Sequence, residues 1–192
     1  KNVYDSMVKI KINLITLSLT IFFAAFIQAI DRNKSSIIID ISEQRLYLYE
    51  SEILRESFPI STSKFGEGYK VNSFKTPLGS HEIKEKIGTK VPINTIFIAR
   101  SNTGRKAKII NDSSDSDNDF VTSRILWLDG LEDGVNRGPG VDSYDRYIYI
   151  HGTHEEGLIG QKASHGCIRM FNKDVIYLYN KVNKGTKVLI KS

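Results

Sequence analysis

The chain has 192 residues, enough to bury one substantial core, and its 40% hydrophobic and 26% charged content excludes a disordered or fibrous polymer. Lys1, Lys9, Lys11 and Asp5 fall in the first thirty positions; the rest carries 24 basic against 21 acidic residues, and a net +3 spread evenly is too mild for a nucleic-acid-binding surface. One cysteine, Cys167, excludes an internal disulfide framework.

In chain order, Lys9 and Lys11 precede an apolar run without charge over residues 12–30. That pattern fits an export signal, with Ala29 as the small residue at a cleavage point, although Ile27 departs from an A-x-A site. The run is also long enough to span a bilayer uncleaved as a membrane anchor. Either way, residues 1–30 are expected to deliver the rest of the chain, a domain over 35–192, outside the cytoplasm.

The body then reads as mainly β. Residues 37–41 (IIIDI) are short and β-branched, and 45–50 (RLYLYE) alternate, with Leu46 and Leu48 on one face and Tyr47 and Tyr49 on the other. ESFPIST (56–62) follows, its Pro59 implying an edge or bulge, so the three predict an antiparallel meander. A turn at Pro77–Gly79 leads to a strand near His81–Lys84, and 91–99 forms another strand. NDSSDSDNDF (111–120) is a polar, solvated loop. Asp115, Asp117 and Asp119 have the spacing of a calcium loop, but Phe120 stands where that loop needs Gly and Leu126 where it needs Glu. Strands follow at 124–130 and 146–152, separated by a Gly/Pro-rich loop. A helix starts at Asn172 as N-cap, repeats Val175, Tyr179 and Val182 at helical spacing and stops at Gly185; 186–190 closes as a strand. No second domain is evident, so one or two short helices accompany the strands.

Three of the four histidines and the only cysteine lie within residues 150–170, IHGTHEEGLIGQKASHGCIRM. A lone thiol in an exported protein is either buried and inert or has chemistry to do. His151 sits at a strand end, sixteen positions before Cys167, and the glycine-containing loop between them can fold back to put imidazole beside thiol. With a free pKa of roughly 8.5, only a small fraction of a cysteine is thiolate at neutral pH, so a neighbouring base activates it. Gly166 lets backbone pass close to the sulfur, and amides around Gly166 and Cys167 can face a developing oxyanion. Zinc is the competing assignment, with His151, His154, His165 and Cys167 as ligands. The one-residue gap from His165 to Cys167 is too tight for common sites, however, and His151 and His154 face opposite sides of a strand. His154 is expected in solvent and His81 in a structural role.

HG at 151–152 followed by SHGCIRM (164–170) resembles the signature of the L,D-transpeptidase catalytic domain, the YkuD-like family. The opening strands, FPISTS, KTPLGSHEI and GTKVLI are also similar, from residue 37 to 190, whereas 100–146 matches less well and fits a variable flap. The resemblance implies a sandwich-like, mainly β catalytic domain without metal or other cofactor, acting on peptidoglycan stem peptides. It implies Cys167 as nucleophile, His151 as proton donor and acceptor, and the Gly152 carbonyl as the group that orients the imidazole. His165 and Gly166 map to the oxyanion and substrate wall, Ser164 to loop support, and Arg169 to a loop brace or a substrate-carboxylate contact. The implied product is a 3→3 cross-link, with carbapenems as covalent inhibitors. Acceptor alternatives are water, giving an L,D-carboxypeptidase, a lipoprotein lysine, giving wall attachment, and a free D-amino acid, giving exchange. A wall-binding module with an inert thiol is the non-enzymatic alternative.

Overall fold

The computed structural model describes residues 34–192; the expected signal or anchor over residues 1–30 lies outside them. Among the described residues no helix is long and apolar enough to cross a membrane. Ten strands are present: β1 (Ser35–Asp40), β2 (Arg45–Glu50), β3 (Ile53–Ser61), β4 (Gly79–Ile87), β5 (Thr95–Ile98), β6 (Ser101–Lys106), β7 (Val121–Gly130), β8 (Tyr149–Thr153), β9 (Ile168–Met170) and β10 (Lys187–Lys191). Among the described residues, one α-helix, α1 (Asn172–Lys181), and a 3-10 turn at Glu156–Leu158 accompany these strands.

Mainly β is therefore correct, but the strands form one hydrogen-bonded sheet rather than the two of a sandwich. Its order is β4-β10-β1-β2-β3-β9-β8-β7-β5-β6, and β4 also pairs with β7. Eight strands thus close on themselves, and the β5–β6 hairpin extends outward. Both behaviours trace to β7. Its register shifts between Thr122 and Ile125, where Ser123 has φ 62°. Before that bulge β7 pairs with β5, and after it with β4.

The closed strands bury one apolar face. Ile37, Ile39, Leu46 and Leu48 point inward at 0–1% exposure, as the alternation in β1 and β2 dictates, and join Ile60, Ile83, Leu126, Leu128, Ile150, Ile168, Met170, Val188 and Ile190. Val175, Leu178, Tyr179 and Val182 cover this core from the helix. The expected meander is β1–β2–β3; Pro59 lies in β3 just before Ile60 and Ser61, the positions that pair with β9, so it has a partner on one side only.

Two helix expectations are corrected. The cap residue is Phe171, not Asn172. The Glu156 carboxylate takes the Asn172 amide (2.8 Å), freeing the Asn172 side chain to donate to the Thr153 carbonyl at 2.6 Å and to accept from Thr122 Oγ1 at 2.6 Å. The helix ends at Lys181, and Gly185, with φ +84°, makes the later turn into β10.

Candidate active site

β8 and β9 run parallel at the heart of the sheet, with Ile150 opposite Ile168 and His151 opposite Arg169. Ile150 and Ile168 face the core. Alternation therefore turns Tyr149, His151 and Arg169 to the other face, and Cys167, immediately before β9, shares it. His151 and Cys167 are thus diagonal neighbours on one side of two adjacent strands. The sequence-predicted base and nucleophile lie on the same face of neighbouring strands.

His151 is 1% exposed, and its Nδ1 donates to the Gly152 carbonyl at 2.7 Å. That bond fixes the tautomer and leaves Nε2 as the acceptor nitrogen. Gly152 is obligatory here: a Cβ would lie 2.6 Å from Asn172 Oδ1 and 2.8 Å from the Thr122 carbonyl. Burial lowers the His151 pKa to about 4, against the opposing pull of the Asp119 carboxylate and the Gly152 carbonyl.

Cys167 is half-buried, packs against the Trp127–Tyr149 cluster and donates from Sγ to the Tyr147 carbonyl at 3.3 Å. Burial pushes its pKa up to about 12, with the Tyr149 backbone amide acting in the opposite direction. Both shifts favour the uncharged forms, thiol and imidazole.

The loop that presents the sulfur is tied down at both faces. Ser164 Oγ donates to the Cys167 carbonyl at 2.6 Å and accepts the Gly166 amide at 3.2 Å. Gly166 has φ +120°, a conformation glycine tolerates, and its carbonyl accepts from Thr76 Oγ1 at 3.0 Å. Ser164 thus supports the loop as expected. The Gly166 amide is already engaged, which removes it from the expected oxyanion donors.

His165 sits at the rim between Phe65 and Phe74, ring centroids 5.8 and 6.1 Å away, and its Nδ1 donates to Asp119 Oδ2 at 2.9 Å. Arg169 is 1% exposed and forms two ion pairs, Nη2 to Asp119 Oδ1 (2.7 Å) and Nη1 to Glu155 Oε2 (2.9 Å). It is a brace: both Nη nitrogens are taken by the protein's own carboxylates, while the buried Nε has no partner among the described residues. Burial alone would raise the Asp119 pKa, but the Arg169 charge and hydrogen bond outweigh it and hold the carboxyl near about 2.

One sequence expectation fails at this point: His154 is not in solvent, whereas 111–120 is the mostly exposed loop expected. His154 is 4% exposed, its Nε2 lies 2.9 Å from Ser116 Oγ, and its ring packs on Phe120 at 4.8 Å. Ser116 in turn donates to Glu155 Oε1 from both its amide (2.6 Å) and its hydroxyl (2.7 Å). The cause is Arg169: a buried guanidinium requires carboxylates, and Asp119 comes from this segment to supply one. Asp115 pairs with Lys64 instead (3.1 Å), so the calcium-like spacing does not converge. His81 is structural as expected, fully buried with Nδ1 to the Gly79 carbonyl (3.0 Å) and Nε2 to Ser143 Oγ (2.9 Å).

A closed β-sheet carrying a Cys–His pair on its outer face, the imidazole held by a backbone carbonyl, defines the class. The sequence model of YkuD, the L,D-transpeptidase catalytic domain, matches residues 34–190, and the chain belongs to this family. It is 29% identical over 163 residues to an Escherichia coli K12 protein named "Probable L,D-transpeptidase ErfK/SrfK", covering 83% of this chain and 45% of that protein. It is 46% identical over 43 residues to another from the same organism, "Probable L,D-transpeptidase YbiS", covering 22% of this chain and 14% of that one. The chain thus spans less than half the length of either relative. The fold resembles L,D-transpeptidase 3 from Mycobacterium tuberculosis, solved with a faropenem-derived adduct: TM-score 0.53, 18% identity, 82% of this chain and 60% of that one.

Proposed function

We propose that the domain is an exported cysteine acyltransferase that cross-links peptidoglycan stem peptides. The observation that supports this reading is the His151 Nδ1–Gly152 carbonyl bond, which leaves Nε2 as the acceptor on a residue sharing its sheet face with Cys167. As Sγ attacks the carbonyl of the diamino acid at stem position three, its proton passes to His151 Nε2. The Cys167 amide takes the oxyanion, since the Gly166 amide is bonded to Ser164. The C–N bond to the terminal D-Ala breaks, His151 returns the proton to the leaving amine, and a thioester remains. A side-chain amine from a second stem then attacks the thioester, releasing the thiol and forming a 3→3 cross-link. Proton transfer accompanies attack because burial favours the neutral thiol and imidazole. Carbapenems would acylate the same sulfur.

Incubating the protein with purified disaccharide-tetrapeptide tests this. Cross-linked dimers with released D-Ala are expected, and tripeptide alone would make water the acceptor. A Cys167→Ala protein that still released D-Ala would overturn the assignment. No turnover by the unaltered protein would leave a wall-binding module.

A further inference from the structure

The β5–β6 hairpin turns through Ala99 and Arg100, between the paired residues Ile98 and Ser101. Both central residues have positive φ, 45° and 67°, the geometry of a tight hairpin turn that normally takes Asn-Gly. Strain of this kind persists where the surroundings enforce it. Here they hold the Arg100 guanidinium 4.7 Å from the Trp127 ring centroid and 4.9 Å from that of Tyr147, with Nη1 donating to the Tyr149 hydroxyl at 3.3 Å. Trp127 is itself stacked on Tyr144 at 4.0 Å. Tyr147 is a second outlier, a bulky residue at φ 58° and half-exposed.

This platform reaches the nucleophile. Cys167 packs against the cluster that contains Trp127 and Tyr149, its sulfur donates to the Tyr147 carbonyl, and the Tyr149 ring lies 6.5 Å from that of His151. Arg169, by comparison, already pairs both of its Nη nitrogens with carboxylates. Arg100 makes no ion pair among the described residues; its contacts are the rings and one tyrosine hydroxyl. A planar, always-charged fork, stacked in a fixed orientation at the mouth of the site with donors unspent, suits one ligand chemistry: a carboxylate.

We propose that Arg100 is a specificity-determining residue that binds a carboxylate of the donor peptide next to the scissile bond. Its anchors Tyr147 and Tyr149 are the residues whose backbone meets the sulfur, so the anion in reach belongs to a residue flanking the attacked carbonyl. The donor has two such groups: the terminal carboxylate of the leaving residue and any side-chain carboxylate of the diamino acid. The inference rests on the donor assigned under Proposed function, and the test separates the two claims.

In a Cys167→Ala background, calorimetry would compare Arg100 with Arg100→Gln and Arg100→Lys against three peptides: the free-acid tetrapeptide, its C-terminal amide, and the tetrapeptide amidated on the diamino-acid side chain. The Arg100 protein should bind the free acid about 10-fold or more tightly than one of the two amides, and that amide identifies the carboxylate. Arg100→Gln should bind the free acid no better than that amide while still unfolding cooperatively well above the assay temperature, and Arg100→Lys should fall between. Binding that ignores both amidations, or a preference that survives Arg100→Gln, overturns the proposal. This readout needs no turnover. Arg100-dependent binding beside an inactive unaltered protein would therefore refute acyl transfer and not the carboxylate site.

Discussion

Thr76 Oγ1 reaches across ninety residues to donate to the Gly166 carbonyl at 3.0 Å, and also accepts the Ser63 amide at 3.1 Å. The T-P-x-G turn is thereby fastened to the loop that carries the nucleophile. Replacing Thr76 with Val keeps the shape and removes both bonds, leaving a buried carbonyl and an amide unpaired. The expected cost is about 2–4 kcal/mol in urea denaturation. Acylation of Cys167 should slow further than stability alone explains, measured as the rate of mass gain with a carbapenem. An unchanged rate in the folded variant would show that the sulfur is positioned without Thr76.

The arginine brace makes an electrostatic prediction. Arg169→Met strands the Glu155 carboxylate, itself 1% exposed, together with Asp119. Removing one partner of a buried ion pair costs about 3–5 kcal/mol. Adding Glu155→Gln to that variant should recover part of the loss, because stranded charge and not lost packing is the source. Denaturation midpoints of the single and double variants decide between them.

Acid should weaken the fold in two separate windows. His81 and His151 both fall from 6.5 to about 4 through burial. Between those values the unfolded chain binds protons that the folded chain refuses, so stability drops as pH falls from 6.5 towards 4, by up to about 3 kcal/mol per histidine. Asp40 and Asp119 act lower. Lys191 holds the Asp40 carboxyl at about 2 and Arg169 holds that of Asp119 near about 2, so their contribution is present above 3.8 and is lost on falling towards 2. Urea titrations at pH 7.5, 5 and 3.5 should show the first loss before the second, and His81→Gln should flatten the first.

The thiol predicts its own alkylation profile. With its pKa displaced from 9.0 up to about 12 by burial, Cys167 should react with iodoacetamide more slowly than free cysteine at pH 7. Its rate should still be climbing above pH 9, where that of free cysteine levels off. A plateau near pH 7 would mean that the resting enzyme already holds a thiolate.

Gly152→Ala checks the fit behind the base. The new Cβ meets Asn172 Oδ1 and the Thr122 carbonyl at under 3 Å, and the latter is backbone that cannot swing away. A loss of about 2 kcal/mol or more in thermal or urea unfolding is expected, with slower Cys167 acylation as the imidazole loses its alignment.

Much of this architecture could be read from the chain because it is written in apolar alternation. β2 begins and ends where RLYLYE does, and the inward set Ile37, Ile39, Leu46 and Leu48 follows its period. β6 was invisible because SNTGRK buries no face, and β9 because three residues inside a motif carry no period. The strand expected over 91–99 is confined to Thr95–Ile98, since Asn94 turns at φ 66°. In the site, His151, Cys167, Gly152 and Ser164 were legible from spacing and family likeness. Asp119 was not: a carboxylate in an acidic run looks solvated until its partner is known. The one clue was Arg169 itself, a cation between Ile168 and Met170 on a buried strand.

The bulge at Ser123 divides labour along β7. In the strand ladder the outer hairpin meets β7 through Ile96 and Phe97, before the bulge. The arm bearing Arg100 can therefore be lengthened, shortened or exchanged while the ladder that seats His151 and Cys167 keeps its register. If Arg100 selects the ligand as proposed, a hairpin transplant is the natural way to redirect that choice without disturbing the ladder beneath.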